Sequence, residues 1–275
     1  MFEKITYINH LNEAINFGEN GIYINYNDLR DFSWDSNIIN NRISSFTKKI
    51  TQKNFPLLII SQTDSEGIQI KTRLFEVLEK DVLATSPGRL YINDYYLRCY
   101  AVQSKKSIHL YTQQLAKISL TLITDFPYWI RETQRTFMAN DEGVPGSDFL
   151  DFPHDFPYDY GTLHNNHTLS NSGIASNNFK LIIYGPCNNP QIYIADHLYQ
   201  VAAEIAQNEH LIIDSIEKTV TLFKNNAQTV NYFHLRNRES YIFEKIPPGD
   251  NAVTWSGDFG FDITLYEERS EPQWT

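Results

Sequence analysis

Cysteine is scarce in this sequence, with Cys99 and Cys187 as the two instances in 275 residues. A secreted domain held together by disulfides would carry more cysteines at closer spacing. The two thiols could still form a disulfide, but free cysteine is among the most buried residue types. We therefore expect two buried free thiols in a protein made in a reducing compartment.

Long apolar runs are lacking as well. The longest covers residues 55–60, whereas a helix needs about 20 apolar residues to span a bilayer. The beginning of the sequence, Met1-Phe2-Glu3-Lys4, does not show the basic stretch and apolar segment of a secretion signal. The sequence thus predicts neither secretion by a standard signal nor insertion into a membrane.

Positive charge is scarce in the second half. Residues 1–140 contain 16 Lys or Arg and 14 Asp or Glu, a net charge of +2, whereas residues 141–275 contain 7 and 19, a net charge of −12. This uneven distribution suggests two domains with different surfaces. It also argues against sequence-specific DNA binding, because neutralising phosphates requires a basic surface.

Known catalytic motifs are absent. The sequence contains no phosphate-binding loop, no dinucleotide-binding glycine pattern, no nucleophile elbow and no zinc-protease motif. Asp258-Phe259-Gly260 matches the metal-binding triplet of protein kinases, but the His-Arg-Asp motif that precedes it in kinases is missing. We predict no catalytic residues, no enzymatic activity and no cofactor. A glycan hydrolase stays an open alternative, because its two carboxylates are defined by their separation in space.

A metal site is not predicted either. Three histidines and three aspartates lie between residues 151 and 167. Their spacing matches neither a zinc site nor a calcium-binding EF-hand. We expect these side chains to be solvated in a loop.

Apolar residues are plentiful, since hydrophobic residues make up 41% of the chain and aromatic residues 14%. In the first half, apolar side chains at helical spacing, followed by Pro87, predict a helix over residues 71–84. A β-hairpin is predicted after it, with strands at residues 89–92 and 95–102 joined by Asn93-Asp94. Further strands are predicted at residues 20–30, 55–61 and 118–124.

From residue 179 onward, short apolar stretches recur about every ten residues, as in a β-sandwich. They predict strands at residues 179–184, 191–195, 198–205, 210–213, 219–223, 240–246, 252–255 and 259–266. The predicted fold is mainly β. It has an α+β N-terminal domain with one helix and a β-hairpin over residues 1–137, a linker or long-loop region over residues 138–178, and a β-sandwich over residues 179–275.

Acidic and aromatic residues alternate between residues 148 and 160. The aromatic members are Phe149, Phe152, Phe156, Tyr158 and Tyr160. Such a segment cannot form a core by itself. Its rings are expected either to fill the seam between the two domains or to form an arm on a neighbouring subunit, because aromatic residues anchor interfaces.

Four tryptophans are present, and Trp255 lies in an alternating stretch that favours a core position. Exposed tryptophans of a β-sandwich could instead stack against sugar rings. A carbohydrate-binding module that contacts host cell-surface glycans through the C-terminal sandwich is therefore an alternative function.

Several stretches carry a family resemblance. In the first half they are Leu74-Phe75-Glu76-Val77-Leu78, Asp81-Val82, Ser86-Pro87-Gly88-Arg89-Leu90-Tyr91-Ile92-Asn93, Tyr96-Leu97-Arg98-Cys99-Tyr100 and Thr124-Asp125-Phe126-Pro127-Tyr128-Trp129. In the second half they are Tyr184-Gly185-Pro186-Cys187-Asn188-Asn189-Pro190, Leu211-Ile212-Ile213-Asp214-Ser215, Lys218-Thr219-Val220, Pro248-Gly249-Asp250-Asn251 and Glu268-Arg269-Ser270-Glu271-Pro272-Gln273-Trp274. Together they resemble siphophage distal tail proteins, the Dit family, over about residues 20–135 and 179–275.

The resemblance implies a non-enzymatic virion protein of the tail tip, assembled in the bacterial host cytoplasm. N-terminal domains of this family join into a ring, typically a hexamer, which connects the tail tube protein to the tail fibre or tip protein. DNA passes through the pore of the ring. The C-terminal domain is implied to be a galectin-like sandwich that carries receptor-binding proteins or, in some relatives, contacts saccharides.

The predicted hairpin is also a candidate for the contact between ring subunits. It is rich in tyrosine, and we predict that Tyr91, Tyr95, Tyr96, Arg98 and Tyr100 take part in that contact. The alternative is that these side chains pack within their own domain. Closing a ring would remove strand edges from solvent.

Overall fold

The structure, a computed structural model, describes residues 3–108, 112–139 and 167–274. Within these ranges it contains twenty-one β-strands, one α-helix and one short 3-10 helix, so the predicted mainly β fold is confirmed. The chain forms two compact units. Unit 1 comprises Met1–Arg131 together with Glu268–Thr275, and unit 2 comprises Glu132–Glu267.

Unit 1 contains the α-helix and the longest strands. Its elements are β1 (Ile5–Ile8), β2 (Ala14–Phe17), β3 (Ile22–Ile24), β4 (Asp35–Ile39), β5 (Arg42–Thr47), β6 (Thr51–Ile60), α1 (Asp64–Ala84), β7 (Gly88–Ile92), β8 (Tyr95–Ile108) and β9 (Leu115–Thr124). The next strand, β10 (Trp129–Phe137), begins in unit 1 and ends in unit 2.

Strand β8 belongs to both main sheets of unit 1. Its residues 95–99 pair with β7, and its later residues pair with β9. One sheet therefore has the antiparallel order β2-β1-β7-β8, and the other has the order β3-β6-β9-β8. Alternating apolar side chains of both sheets form the core, in which Trp129, Tyr7 and Phe55 are fully buried. The predicted hairpin turns at Asn93, whose φ of 52° suits such a turn.

Helix α1 extends the predicted helix toward its N-terminus. It begins at Asp64 because the Thr63 hydroxyl accepts a hydrogen bond from the backbone N–H of Glu66 at 3.2 Å. The Glu66 carboxylate in turn accepts the N–H of Gln62 at 2.9 Å. The helix ends before Thr85, which adopts the left-handed conformation. Its buried residues include Leu74, as the apolar spacing predicted.

The end of the chain packs in unit 1. The guanidinium group of Arg30 donates a hydrogen bond to the carbonyl oxygen of Pro272 at 2.6 Å and lies 3.9 Å from the ring centre of Trp274. Arg30 also forms an ion pair with Glu3. The predicted second domain ran to residue 275, whereas the compact unit ends at Glu267, because these contacts hold the last residues in unit 1.

Unit 2 is built almost entirely from short strands. They are β11 (His167–Asn171), β12 (Asn178–Tyr184), β13 (Cys187–Asn188), β14 (Gln191–Ile194), β15 (His197–Gln200), β16 (Glu204–Ile205), β17 (His210–Asp214), β18 (Thr219–Phe223), β19 (Thr229–Asn231), β20 (Gly249–Trp255) and β21 (Phe261–Arg269), which begins in unit 2 and ends in unit 1. The 3-10 helix is Phe233–Leu235.

Two antiparallel sheets of unit 2 form a sandwich. One has the order β19-β18-β17-β12-β21, and the other has the order β11-β20-β14-β15. Side chains of both sheets form one core, in which Phe179, Tyr199 and Phe261 are the largest fully buried residues. This arrangement agrees with the predicted β-sandwich.

Three sequence-based expectations differ from the structure of unit 2. The predicted strand at residues 198–205 is two strands, β15 and β16, which pair with different partners. The expected linker reached residue 178, but β11 and the start of β12 lie within it, because residues 167–178 supply strands to both sheets. The predicted strand at residues 240–246 is wrong. Ile242 and Phe243 are buried in the core, while backbone pairing in this segment is limited to a bridge at Ile246.

Candidate interaction site

The hairpin formed by β4 and β5 exposes its whole length in unit 1. Every residue of both strands is exposed. Four apolar side chains are 57–66% exposed: Ile38, Ile39, Ile43 and Phe46. A two-stranded hairpin without a packed face is marginally stable in water. Exposed apolar strands of this kind mark surfaces that another chain covers.

The hairpin is held together locally. Its turn residues Asn40 and Asn41 have φ values of 51° and 59°, the combination that a tight two-residue hairpin needs. The side chain of Asn37 donates a hydrogen bond to the Ser45 hydroxyl at 2.9 Å. Ile38 lies opposite Ile43 across the two strands. This hairpin is not among the predicted elements, although Asn40-Asn41 is a sequence signal for a tight turn.

Lys48 anchors the base of the hairpin. Its ammonium group lies 4.8 Å from the ring centre of Trp34, which precedes β4, and 4.4 Å from that of Tyr128. It also donates a hydrogen bond to the carbonyl oxygen of Pro127 at 3.0 Å. Burial lowers the pKa of Lys48 to about 8. The two ends of the hairpin are therefore fixed to the segment between β9 and β10.

A second lysine holds the loop that leads into the hairpin. Lys53, on β6, is buried, and its ammonium group donates to the backbone carbonyl oxygens of Asp28 and Asp31. Burial lowers the pKa of Lys53 as well. The carboxylate of Asp28 accepts the N–H of Asn54 at 2.7 Å. Together with Lys48, these bonds orient the hairpin relative to the core of unit 1.

A groove between α1 and β8 is a second apolar surface of unit 1. It has a volume of about 380 Å³. Its lining residues are Phe75, Leu78, Glu79, Val82, Ala101, Val102, Gln103, Ser104 and Leu120. Val82 and Val102 are exposed, and Glu79 is the charged residue of the lining. The groove thus offers an apolar surface with one negative charge.

The predicted contact residues lie on β7 and β8. Tyr91 is paired with Tyr96, and strand alternation places both on one face with Arg98 and Tyr100. Tyr95 faces the core of unit 1 and is 4% exposed, and Tyr96 is 7% exposed. The half-buried residues Tyr91, Arg98 and Tyr100 present the remaining surface. It stays a prediction that these residues take part in a contact between subunits.

The remaining expectations from the sequence have different outcomes in the structure. The candidate arm residues Phe149, Phe152, Phe156, Tyr158 and Tyr160 lie outside the described residues. Both cysteines are free thiols, as expected, although Cys187 is half-buried rather than buried. Within the described ranges, no group of His, Cys, Asp or Glu side chains is arranged to hold a metal ion. No helix in that part of the chain has both the length and the apolar character needed to cross a bilayer.

Comparisons with known proteins identify the fold. No protein-family model matches the sequence, and no curated protein matches it. The structure is similar to that of the Dit protein of phage SPP1, described as a paradigm of the hub adsorption apparatus in phages that infect Gram-positive bacteria. The two are 8% identical with a TM-score of 0.61, and the match covers 98% of this chain and 100% of that chain.

Two further matches come from the phage P2 baseplate in its activated conformation. The chain of the calcium form is 12% identical with a TM-score of 0.64, and the chain of the strontium form is 13% identical with the same TM-score. Each match covers 99% of this chain and 100% of the other. The present chain therefore has, over nearly its whole length, the fold of phage hub and baseplate proteins.

Proposed function

Because this chain shares its fold with phage hub and baseplate proteins, we propose that it is a distal tail protein of a long-tailed phage. In this role it has no catalytic activity and needs no cofactor. Copies of unit 1 join into a ring, a hexamer by the family resemblance. The ring connects the tail tube to the tip or baseplate.

The observation that supports assembly into a ring is the exposed hairpin of β4 and β5. Fully burying one large apolar side chain stabilises a protein by roughly 1.5–3 kcal/mol. Covering Ile38, Ile39, Ile43 and Phe46 with a neighbouring chain therefore contributes several kcal/mol, which offsets part of the entropic cost of association. Because Lys48 and Lys53 hold the base of the hairpin, its orientation is fixed. A contact that is repeated between all subunits of a ring requires such a fixed orientation.

A ring also needs two different complementary surfaces on each subunit, because its contacts are heterologous. The hairpin and the groove between α1 and β8 supply such a pair. Both are apolar, and they carry opposite charges at Arg42, the first residue of β5, and Glu79 of the groove. We propose that the hairpin of one subunit lies in the groove of the next.

The ring is proposed to act at the virion tail tip after assembly in the host cytoplasm. Its partners are the tail tube protein on one side and the tail fibre or tip protein on the other. Receptor-binding proteins attach to unit 2, and DNA only passes through the pore. The protein does not insert into a membrane.

Native mass spectrometry of the purified chain tests the assembly. The wild type is expected as a closed oligomer, and Ile38→Thr/Ile43→Thr as a monomer. Threonine keeps the β-branched shape that suits strands, so the variant changes apolar surface rather than strand propensity. Ile174→Thr, at a site 81% exposed in unit 2, is the matched control and should leave the oligomer intact.

Two results would contradict the proposal. A wild type that stays monomeric at every concentration overturns the ring. If Ile38→Thr/Ile43→Thr forms an oligomer of the wild-type mass, the hairpin is not part of the contact. Tyr91, Arg98 and Tyr100 are then the alternative contact surface, which Arg98→Glu tests.

A further inference from the structure

A small cavity in unit 1 lies beside the base of the hairpin formed by β4 and β5. It has a volume of about 20 Å³ and is bordered by the loop that leads into the hairpin, the start of β6 and the end of β9. Lys48 and Lys53 both line it, together with Asp31, Thr124 and the fully buried Trp129. The cavity thus brings two lysines together beside an apolar wall.

Neither lysine forms an ion pair within the described part of the chain. Lys53 is 7% exposed, and Lys48 is half-buried. In the described ranges, Lys48 donates only to the carbonyl oxygen of Pro127, and Lys53 only to the backbone carbonyl oxygens of Asp28 and Asp31. An ammonium group has three N–H donors. Two donors of Lys48 and one of Lys53 are therefore left to bind a further acceptor.

The charge around the cavity is positive and poorly solvated. Burial, followed by the positive charge of Lys53, lowers the pKa of Lys48 to about 8. The carboxylates of Asp28 and Asp31 attract Lys53, but burial outweighs them, and the pKa of Lys53 is lowered too. Buried charges without a partner are costly. The charged side chains of the lining are Lys48, Lys53 and Asp31, a net charge of +1, which one monovalent anion would neutralise.

The size and the donors of the cavity narrow the ligand class. A volume of about 20 Å³ exceeds the roughly 10–15 Å³ that one water molecule needs. The cavity therefore fits a single ion or a water molecule but no group as large as sulfate or phosphate. The buried Thr124 hydroxyl accepts the N–H of Phe126 at 3.2 Å, so its own hydrogen is available to a ligand. Three neighbouring donor groups favour a ligand that only accepts hydrogen bonds.

We propose that this cavity binds one chloride ion, which accepts hydrogen bonds from Lys48, Lys53 and Thr124. Hydrogen bonds to a charged acceptor are stronger than those between neutral groups, and the ion offsets the cost of burying two cations. Bound chloride links the segment after β5 to β6 and to the end of β9. The site lies wholly within unit 1, so it stands whether or not copies of the chain form a ring.

Chloride NMR and urea unfolding of the full chain at pH 7 test the proposal. At this pH Lys48 is charged, because its pKa is about 8. The wild type should broaden the chloride resonance, bromide should reverse the broadening by competition, and sulfate should not. Replacing sodium gluconate, whose anion is too large for the cavity, by sodium chloride at a constant concentration of roughly 300 mM should lower the equilibrium constant of unfolding. The expected factor is about fourfold for a Kd of roughly 100 mM.

Variants locate the site. Lys53→Met and Lys48→Met each remove one cation and should abolish both the broadening and the chloride dependence of unfolding. If Lys53→Met does not fold, Lys48→Met decides, because it keeps the bonds of Lys53 to the loop. Lys49→Met is the matched control, since the side chain of this neighbouring lysine is 77% exposed, and it should behave as the wild type does.

Three results would overturn the site. The first is a wild type that neither broadens the chloride resonance nor unfolds differently in chloride and gluconate, which would mean that the cavity holds water. The second is a chloride effect of wild-type size in Lys48→Met. The third is displacement of chloride by sulfate as readily as by bromide, because the cavity has no room for sulfate.

Discussion

The ammonium group of Lys48 lies 4.4 Å from the ring centre of Tyr128, and burial lowers its pKa to about 8 from an ordinary 10.5. Between these two pH values the unfolded chain holds a proton that the native chain has released. Stability rises with pH wherever the unfolded state binds more protons. The cost of burying charged Lys48 is therefore present below pH 8 and is lost as the pH rises toward 10.5.

Urea unfolding between pH 7 and pH 10 measures this effect. The wild type should gain stability relative to Lys48→Met over the interval, because methionine fills the same space without titrating. The pH dependence of groups that do not interact with Lys48 cancels in the difference. A difference that stays constant with pH would show that Lys48 is not the buried cation that the structure places among the aromatic rings.

Mixing two assembly-defective variants tests whether the ring contact is heterologous. Ile38→Thr/Ile43→Thr damages the hairpin and keeps the groove, whereas Val102→Glu damages the groove and keeps the hairpin. Each alone should be monomeric. Their mixture should form heterodimers and nothing larger, because one intact hairpin meets one intact groove and the contact cannot propagate. Light scattering measures the mass of the species in the mixture. A mixture that remains monomeric would contradict this pairing of surfaces.

Much of the fold could be predicted because one face of most elements is buried. Ile118, Leu120 and Leu122 alternate in β9 and are all buried, as their spacing indicated. The start of α1 was missed because it depends on the Thr63 cap rather than on apolar spacing. The segment at residues 240–246 was misread because its apolar residues cover the core without forming a strand ladder.

The candidate interaction site could be predicted only in part. Burial patterns cannot reveal the hairpin of β4 and β5, since none of its residues enters the core of unit 1. The tyrosine-rich hairpin was found correctly as a structural element, but tyrosine content did not show that Tyr95 and Tyr96 are buried.

A buried hydrogen bond between α1 and β1 should contribute to the stability of unit 1. The Tyr7 hydroxyl donates to the fully buried carboxylate of Asp81 at 2.5 Å, and the backbone N–H of His10 donates to the same carboxylate at 2.8 Å. Tyr7→Phe leaves this carboxylate with one donor fewer and should lower the free energy of unfolding by about 1–3 kcal/mol. Tyr26→Phe, at an 89% exposed site, is the control for urea unfolding. Equal stabilities of the two variants would contradict the role of the bond.

The two thiols should react slowly in the native protein. Burial raises the pKa of Cys99 to about 12 and that of Cys187 to about 11, so little thiolate forms at pH 8. A thiol reagent should modify half-buried Cys187 slowly and Cys99 only after unfolding. Cys187→Ser should then show no reactive thiol until denaturant is added. Rapid modification of two thiols in the native wild type would contradict the burial of Cys99.

Negative-stain electron microscopy of the purified wild-type chain tests the ring most directly. We expect closed rings of uniform diameter with a central hole, and we expect their loss in Ile38→Thr/Ile43→Thr but not in Ile174→Thr. Well-dispersed single subunits across a concentration series, with no rings at the highest concentration, would contradict it.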